Sequence, residues 1–375
     1  MNWLINTMYY VIPFLVVLGV LVFVHEFGHY LIAKLCGVKV AEFSIGFGKK
    51  LWGKTDGSGT LWKISAIPLG GYCRFLGDGD ASSSSSEAEQ LSDEDKKYAF
   101  AFQNPFKKLA IVIGGPAFNY LFAILVFFAI FSLVGKMEFP PVVGTVIENS
   151  AAQEAGILPK DKILSVDGVE VKTFQEFRQE IDMNTTGISL LKILRDGKER
   201  DIEVHLKMVD DKDTGVKSVR PMVGVTSVNL VEISPVKLSV VASFTEALSE
   251  TWRITTVTLR GVYQMIVGDR GTDDLGGIVR IAEMSGDISK TNSWIDLLVF
   301  TALLSINLGL INLFPIPLLD GGHVVIFIIE ILLRREIKEK TKEYIFKFGF
   351  VLLVTLMLFA TYNDIIHLIK RWFSE

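Results

Sequence analysis

Five residues, His25-Glu26-Phe27-Gly28-His29, carry the pattern in this chain that most directly implies chemistry. If the run is helical, His25 and His29 lie one turn apart on one face, and their imidazole nitrogens can converge on one ion. Glu26, beside the first of them, can take a proton from a water activated there. The pattern sits in an almost uninterrupted apolar stretch from Leu21 to Leu35. Three ionisable residues in hydrocarbon are costly unless a metal or a mutual contact offsets them. The competing reading is a pair of helix histidines satisfied by backbone or water.

A second element lies far along the chain. Asn312-Leu313-Phe314-Pro315-Ile316-Pro317-Leu318-Leu319-Asp320-Gly321-Gly322-His323 interrupts another apolar run. Two prolines and a glycine pair unwind the backbone, which lipid tolerates only where the segment is buried in protein or lines a watery cavity. Asp320 is then a carboxylate at membrane depth and the evident partner for the two histidines. Without a metal it would be neutralised by a proton or paired with His323. His205 alternates outward on a predicted strand, as a surface residue does, and His367 is too far along the path of the chain to serve as a ligand.

Composition sets the background. Half of the 375 residues are hydrophobic, 26 of them Phe, and the mean hydropathy is positive; both point to an integral membrane protein. A net charge of −4 gives no basic field for nucleic acid. The two cysteines, Cys36 and Cys73, form no zinc-ribbon spacing and no disulfide framework. The N-terminus lacks a basic n-region and a small-residue cleavage site, so the first apolar segment is expected to stay in the protein.

The elements that must position the site follow in order. Residues 1–36 form a first span with the histidine motif, and residues 37–107 a cytoplasmic β-hairpin region and Ser-rich linker. Short strands are expected at Phe43–Phe47, Leu61–Ile67 and Tyr72–Phe75, broken by glycines, with a low-complexity tract from Ser82 to Ser86. The hairpin could offer an unpaired strand edge to an extended peptide. Residues 108–135 form a second span, whose Gly114, Gly115 and Asn119 should pack on the histidine helix, Asn119 through an interhelical hydrogen bond. Residues 140–208 read as an inserted α+β domain, and 209–290 as an amphipathic, periplasmic region, with a helix over 235–268 and a charged loop from Asp269 to Asp274. Residues 294–333 make a third span containing the interruption, and 343–370 a fourth. Lys34, Lys39, Lys49, Lys50 and Lys54 place the first loop in the cytoplasm and the N-terminus outside. The fold class is thus a polytopic α-helical membrane protein of about four transmembrane helices, with a membrane-associated β-hairpin and an inserted α+β domain.

Two resemblances sharpen this. Asn149-Ser150-Ala151-Ala152, Ala155-Gly156-Ile157, Asp161 to Gly168 and Arg195-Asp196-Gly197 resemble a bacterial PDZ domain, with Lys160 where that family usually has glycine. The histidine motif, Leu69-Gly70-Gly71-Tyr72, Gly115-Pro116 with Asn119, the PDZ-like insert and Asn312 to Gly322 together resemble the site-2 protease family of intramembrane zinc metalloproteases, in its bacterial RseP-like branch. That resemblance implies that His25, His29 and Asp320 hold Zn2+, with Glu26 as general base. It also implies that Asn312, Pro315 and Pro317 shape the site and hold the substrate backbone. The implied activity is cleavage of transmembrane segments of single-pass membrane proteins, anti-sigma-factor-like regulators or signal-peptide remnants, in regulated intramembrane proteolysis. The PDZ-like domain would screen substrates, with a peptide ligand of its own, on the outer side of a bacterial cytoplasmic (inner) membrane. Two features depart from the family pattern: a single PDZ-like domain, and no proline after the glycines of Leu275-Gly276-Gly277-Ile278. A PDZ-bearing scaffold with a structural metal and a metal-ion transporter are the rival readings. The first leaves Glu26 unexplained, and the second lacks further buried ligands across the membrane.

Overall fold

The computed structural model describes residues 2–77, 91–136, 139–210, 219–227, 235–268, 276–291 and 293–374. The Ser82–Ser86 tract, the Asp269–Asp274 loop and Leu275 lie outside the described residues. The main helices are α1 (Asn2–Leu35), α2 (Pro105–Leu133), α3 (Phe174–Asp182), α4 (Val240–Val267), α5 (Ile278–Lys290), α6 (Trp294–Asn312), α7 (Asp320–Leu333) and α8 (Glu339–Ser374). The strands are β1 (Val40–Thr55), β2 (Leu61–Phe75), β3 (Val143–Val146), β4 (Lys162–Val166), β5 (Val169–Glu170), β6 (Ile188–Arg195), β7 (Lys198–His205), β8 (Lys207–Asp210), β9 (Val219–Met222) and β10 (Val225–Ser227).

Among the described residues, four helical stretches are long and apolar enough to cross a membrane: Met8–Leu35, Pro105–Leu133, Trp294–Asn312 and Glu339–His367. The third span, expected over 294–333 with an interruption from Asn312 to His323, is two helices. Pro315 and Pro317 lie in the break between them, where a missing amide proton and a ring clash stop α6 from continuing. At 14 residues, α7 reaches only about 21 Å and is too short to span a bilayer.

The chain divides into two compact units, Met1–Ala129 with Thr245–Thr256 and Gly277–Thr361, and Ile130–Phe244 with Val257–Gly276 and Tyr362–Glu375. In the first unit, α1 and α2 approach at the level of their backbones. A methyl at Gly28 would stand 2.3 Å from the Gly114 carbonyl oxygen, and one at Gly114 would stand 2.8 Å from that of Gly28. This is the small-residue packing expected where helices associate without water. Helix α5, which the amphipathic reading of 209–290 did not resolve, packs on α1. Gly286 faces the ring of Tyr10, and the Tyr10 hydroxyl donates to Asp287 Oδ1 at 3.1 Å.

The hairpin also differs from expectation. Gly46, Gly48, Gly53, Gly70 and Gly71 lie inside two long strands and do not end them. Residues 42–45 pair on one side with 71–74 and on the other with 61–64, while 50–55 pair with 61–65. The glycines take up the register shifts of a strongly curled sheet. Gly46, for example, has φ 89°, and a Cβ there would press on the Ile67 carbonyl at 2.8 Å.

The second unit holds the α+β insert. A four-stranded sheet runs β5-β4-β6-β7, and separate ladders join β3 to β10 and β8 to β9. Alternating Ile163, Leu191, Ile193 and Val204 bury one face of the sheet, with Phe174, Phe177 and Ile181 of α3 in the same core. Thr173 and Glu176 close a capping box at the start of α3. Lys160 has φ 74°, a left-handed conformation natural to glycine, at the position where the PDZ-like sequence departs from its usual glycine. His205 is exposed, as expected.

Helix α4 is patterned inside out. Val241, Phe244, Leu248, Trp252 and Ile266 are exposed, while Ser243, Ala247, Thr251, Thr255 and Gln264 are buried. Thr251 and Thr255 spend their hydroxyls on carbonyls one turn back within the helix, Ala247 and Thr251 respectively, so no donor is lost on burial. An apolar outer face of this kind suits lipid better than water.

Candidate metal centre

His25 and His29 lie one turn apart in α1, and Asp320 opens α7. The fold brings these three together. Nε2 of His25 is 3.3 Å from Nε2 of His29, and Asp320 Oδ2 is 3.2 Å from the first and 3.5 Å from the second. A tetrahedral ion with bonds of about 2.0–2.1 Å holds its ligand atoms about 3.3 Å apart. The three atoms therefore stand at the corners of one face of such a tetrahedron. Asp320 Oδ2 is buried and has no hydrogen-bond partner among the described residues, although both imidazoles are close. An orphaned carboxylate oxygen facing two imidazole nitrogens is a donor set suited to a divalent cation.

Each candidate ligand is oriented from behind. Nδ1 of His29 lies 2.9 Å from the carbonyl oxygen of Ile111 on α2; that contact fixes Nδ1 as the protonated nitrogen and leaves the lone pair on Nε2. Nδ1 of His25 lies 3.0 Å from the side-chain amide of Asn119, one turn along α2 from Gly115 on the same face. The two rings meet edge to face at 4.8 Å. Gly115 makes room for both, since a Cβ there would stand 2.3 Å from His29 Nε2 and 2.8 Å from His25 Cε1.

Asp320 is held by the irregular segment before it. Leu318 takes φ 81°, a left-handed conformation that costs a branched residue about 1–2 kcal/mol. The glycine pair then lets the first turn of α7 rest on that loop. A Cβ at Gly321 would meet the Phe314 oxygen at 2.2 Å, and one at Gly322 the Ile316 oxygen at 2.5 Å. The position at the start of α7 also sets the carboxylate against the positive end of the helix.

Glu26 faces the hairpin. The Cys73 backbone N–H hydrogen-bonds to its carboxyl group, and a methyl at Gly71 would sit 3.4 Å from its Cγ. The pairing of Tyr72 with Ser44 and Cys73 with Phe43 therefore carries strand β2 directly past the catalytic candidate. Asn312 ends α6 and is half-buried, and Pro315 is exposed. Pro317 abuts α8, where a Cβ at Gly349 would meet it at 2.4 Å. The contacts of the triad itself run to Ile111, Gly115 and Asn119. The ring of His323, one turn further along α7, lies 5.1 Å from that of Phe346, while the imidazoles that approach Asp320 Oδ2 are those of His25 and His29.

Reading the sequence missed Ile111 and the Cys73 amide, because a backbone group leaves no trace in residue type. Gly115 and Asn119 did leave one: they stand four apart on α2, the same interval as His25 and His29 on α1.

The chain is similar throughout to proteins of known grouping. The sequence model for "Peptidase family M50" matches residues 13–356. A "Putative zinc metalloprotease" of Agrobacterium fabrum is 38% identical over 369 residues, 96% of this chain and 96% of that protein. One of Mesorhizobium japonicum is 40% identical over 94% of this chain and 98% of that protein. One of Campylobacter jejuni is 37% identical over 96% of this chain and 95% of that protein. Among solved structures, the second domain of the Listeria protein Lin2157 is 28% identical, covers 27% of this chain and 94% of that chain, and superposes with a TM-score of 0.21. With one family matched from the first apolar helix to the last, and relatives aligned over nearly their whole lengths, the chain belongs to peptidase family M50.

Proposed function

We propose that this protein is a membrane-embedded zinc endopeptidase in which His25, His29 and Asp320 hold the metal and Glu26 moves the proton. The observation that carries this reading is the 3.2–3.5 Å triangle of two imidazole nitrogens and one orphaned carboxylate oxygen, on helices apolar enough to lie in a bilayer. Zinc bound there supplies a Lewis acid that polarises a peptide carbonyl and acidifies water to a pKa of about 7. The residues of the chain do the rest. The carboxylate of Glu26 takes a proton from the attacking water and returns it to the departing amine. The Cys73 N–H holds that carboxylate in place. Ile111 fixes the His29 ring from the side away from the metal.

The natural substrate class is a transmembrane segment of a single-pass protein, and such a helix hides its carbonyls in internal hydrogen bonds. Cleavage requires a locally extended backbone, and a strand edge beside Glu26 suits that need. Asn312, Pro315 and Pro317 line the irregular segment before Asp320 and shape the approach. The PDZ-like insert, on the outer side of a bacterial inner membrane by the lysine bias of the first loop, screens which proteins reach the site and takes a peptide of its own. The reactions served are those of regulated intramembrane proteolysis, acting on anti-sigma-factor-like regulators or signal-peptide remnants.

The deciding experiment is zinc analysis of the detergent-purified protein together with cleavage of a model single-pass segment, wild type against Glu26→Gln. The variant should retain its zinc and lose cleavage by about 10²–10⁴-fold. Undiminished cleavage would remove Glu26 from the base role, and cleavage insensitive to chelators would remove the metal.

A further inference from the structure

The two imidazoles are supported differently. His29 Nδ1 faces a backbone carbonyl, which can only accept, so its ring has one choice of tautomer. His25 Nδ1 faces the Asn119 side chain at 3.0 Å, and an amide can either donate or accept. Asn119 is fully buried. Its Nδ2 is the atom toward the ring, while its Oδ1 has no hydrogen-bond partner among the described residues. The residue is held from a third helix as well. Ser305 Oγ of α6 donates to its backbone carbonyl at 2.9 Å, and a Cβ at Gly309 would come within 3.2 Å of its Cβ.

A histidine that offers Nε2 to a cation carries its proton on Nδ1, and that N–H needs an acceptor when it is buried. The amide of Asn119 meets His25 Nδ1, and its unpartnered oxygen is one half-turn about the terminal side-chain bond away from that position. We infer that Asn119 is a positioning residue for the metal centre: its Oδ1 accepts from His25 Nδ1–H and thereby sets the tautomer and the plane of the His25 ring. This rests on the zinc reading above and extends it to a residue otherwise explicable as a bond between helices. It also gives a reason to bury an amide among apolar helices, a placement that is otherwise unfavourable.

The test compares zinc affinity, by competition with a chelator of known affinity, in the detergent-solubilised full chain. Asn119→Leu keeps the size and removes the acceptor, and should weaken zinc binding about 10–100-fold. Asn119→Ala carries the same expectation without added bulk, so misfolding of the Leu variant leaves the test intact. Asn119→Asp restores an acceptor in the same place and should bind zinc at wild-type affinity or tighter. A role in packing alone predicts the reverse order, with the buried carboxylate as the worst of the three. Wild-type affinity in Asn119→Ala, or an Asp variant as weak as the Ala variant, would overturn the inference while leaving the metal centre standing. His29→Ala tests the metal centre on which the inference rests: zinc bound as tightly in that variant as in wild type would sink both.

Discussion

Gly115 lies so close to His29 that a single methyl group on its α carbon would stand 2.3 Å from Nε2. The same methyl would crowd His25 Cε1 at 2.8 Å. Alanine is the better helix former by about 1 kcal/mol, so propensity alone would favour Gly115→Ala. The steric term decides otherwise, because overpacking a rigid site typically costs about 1–3 kcal/mol and here the displaced atoms are the proposed ligands. The expected result is a helical protein that elutes without stoichiometric zinc by elemental analysis. A full complement of metal would mean that this face of α2 does not border the ion.

Asp320→Asn preserves the shape of the proposed third ligand and removes its charge. The amide oxygen remains 3.2–3.5 Å from the imidazoles in the arrangement found, but a neutral oxygen is a poorer ligand for a divalent cation. Zinc should be retained less well on dialysis against chelator, with no change in helix content. His323 supplies the counter-hypothesis, since it lies one turn further along α7. If the Asn variant held zinc like wild type and His323→Ala did not, the third ligand would be the imidazole.

The sequence made the apolar helices and the α+β insert legible for a common reason. Their signals are side-chain patterns, such as the alternation of Ile163, Leu191, Ile193 and Val204 and the Thr173–Glu176 box that starts α3. The histidine motif and Asp320 were legible because ionisable groups in apolar runs demand partners. Elsewhere glycine was misleading. At Gly46, Gly70 and Gly71 it reads as a strand break, yet it serves there to let strands bend and approach other chain segments closely. Gly71 faces Val22 and Glu26 of α1, a contact between distant residues that no local rule could supply. Helix α5 was hidden by its polar residues, two of which, Asp287 and Lys290, bond the Tyr10 hydroxyl of α1.

In the α+β insert, Asp161 is buried and takes a two-pronged contact from Arg195, Nε at 2.7 Å and Nη2 at 2.6 Å. Burial alone would push its carboxyl up, but the Arg195 hydrogen bonds, the Leu158 N–H and the arginine charge outweigh it and hold the group below its usual range. A carboxylate depressed on folding adds stability that is fully present above its unfolded pKa of about 3.9 and is lost as pH falls through the folded value. The insert should therefore loosen below about pH 4, seen as faster amide exchange at Ile163 and Ile193 in the full-length protein. Arg195→Leu, which leaves the carboxylate buried and unpaired, should cost about 3–5 kcal/mol at neutral pH and flatten the acid dependence. An unchanged acid profile in that variant would assign the pH sensitivity to another group.

The glycine pair after Asp320 offers a way to move a ligand without changing it. A methyl at Gly322 would lie 2.5 Å from the Ile316 oxygen and 2.7 Å from Pro317 Cα, so Gly322→Ala must lift the first turn of α7 from its loop. Asp320 sits two residues earlier in that turn and would move with it. Displacements of about 1 Å at a reacting centre cost on the order of 10²-fold in rate, and zinc affinity should fall with them. Gly19→Ala is the matched control, a glycine in α1 with nothing within 4 Å of an added Cβ, and it should leave both quantities at wild-type values. The discriminating readout is thermal melting with and without zinc. Displacement of Asp320 predicts that Gly322→Ala loses the zinc-dependent rise in melting temperature and keeps most of its metal-free stability. If instead the metal-free melting collapses and the zinc-dependent rise persists, the glycine pair serves the packing of α7 and not the placement of its carboxylate.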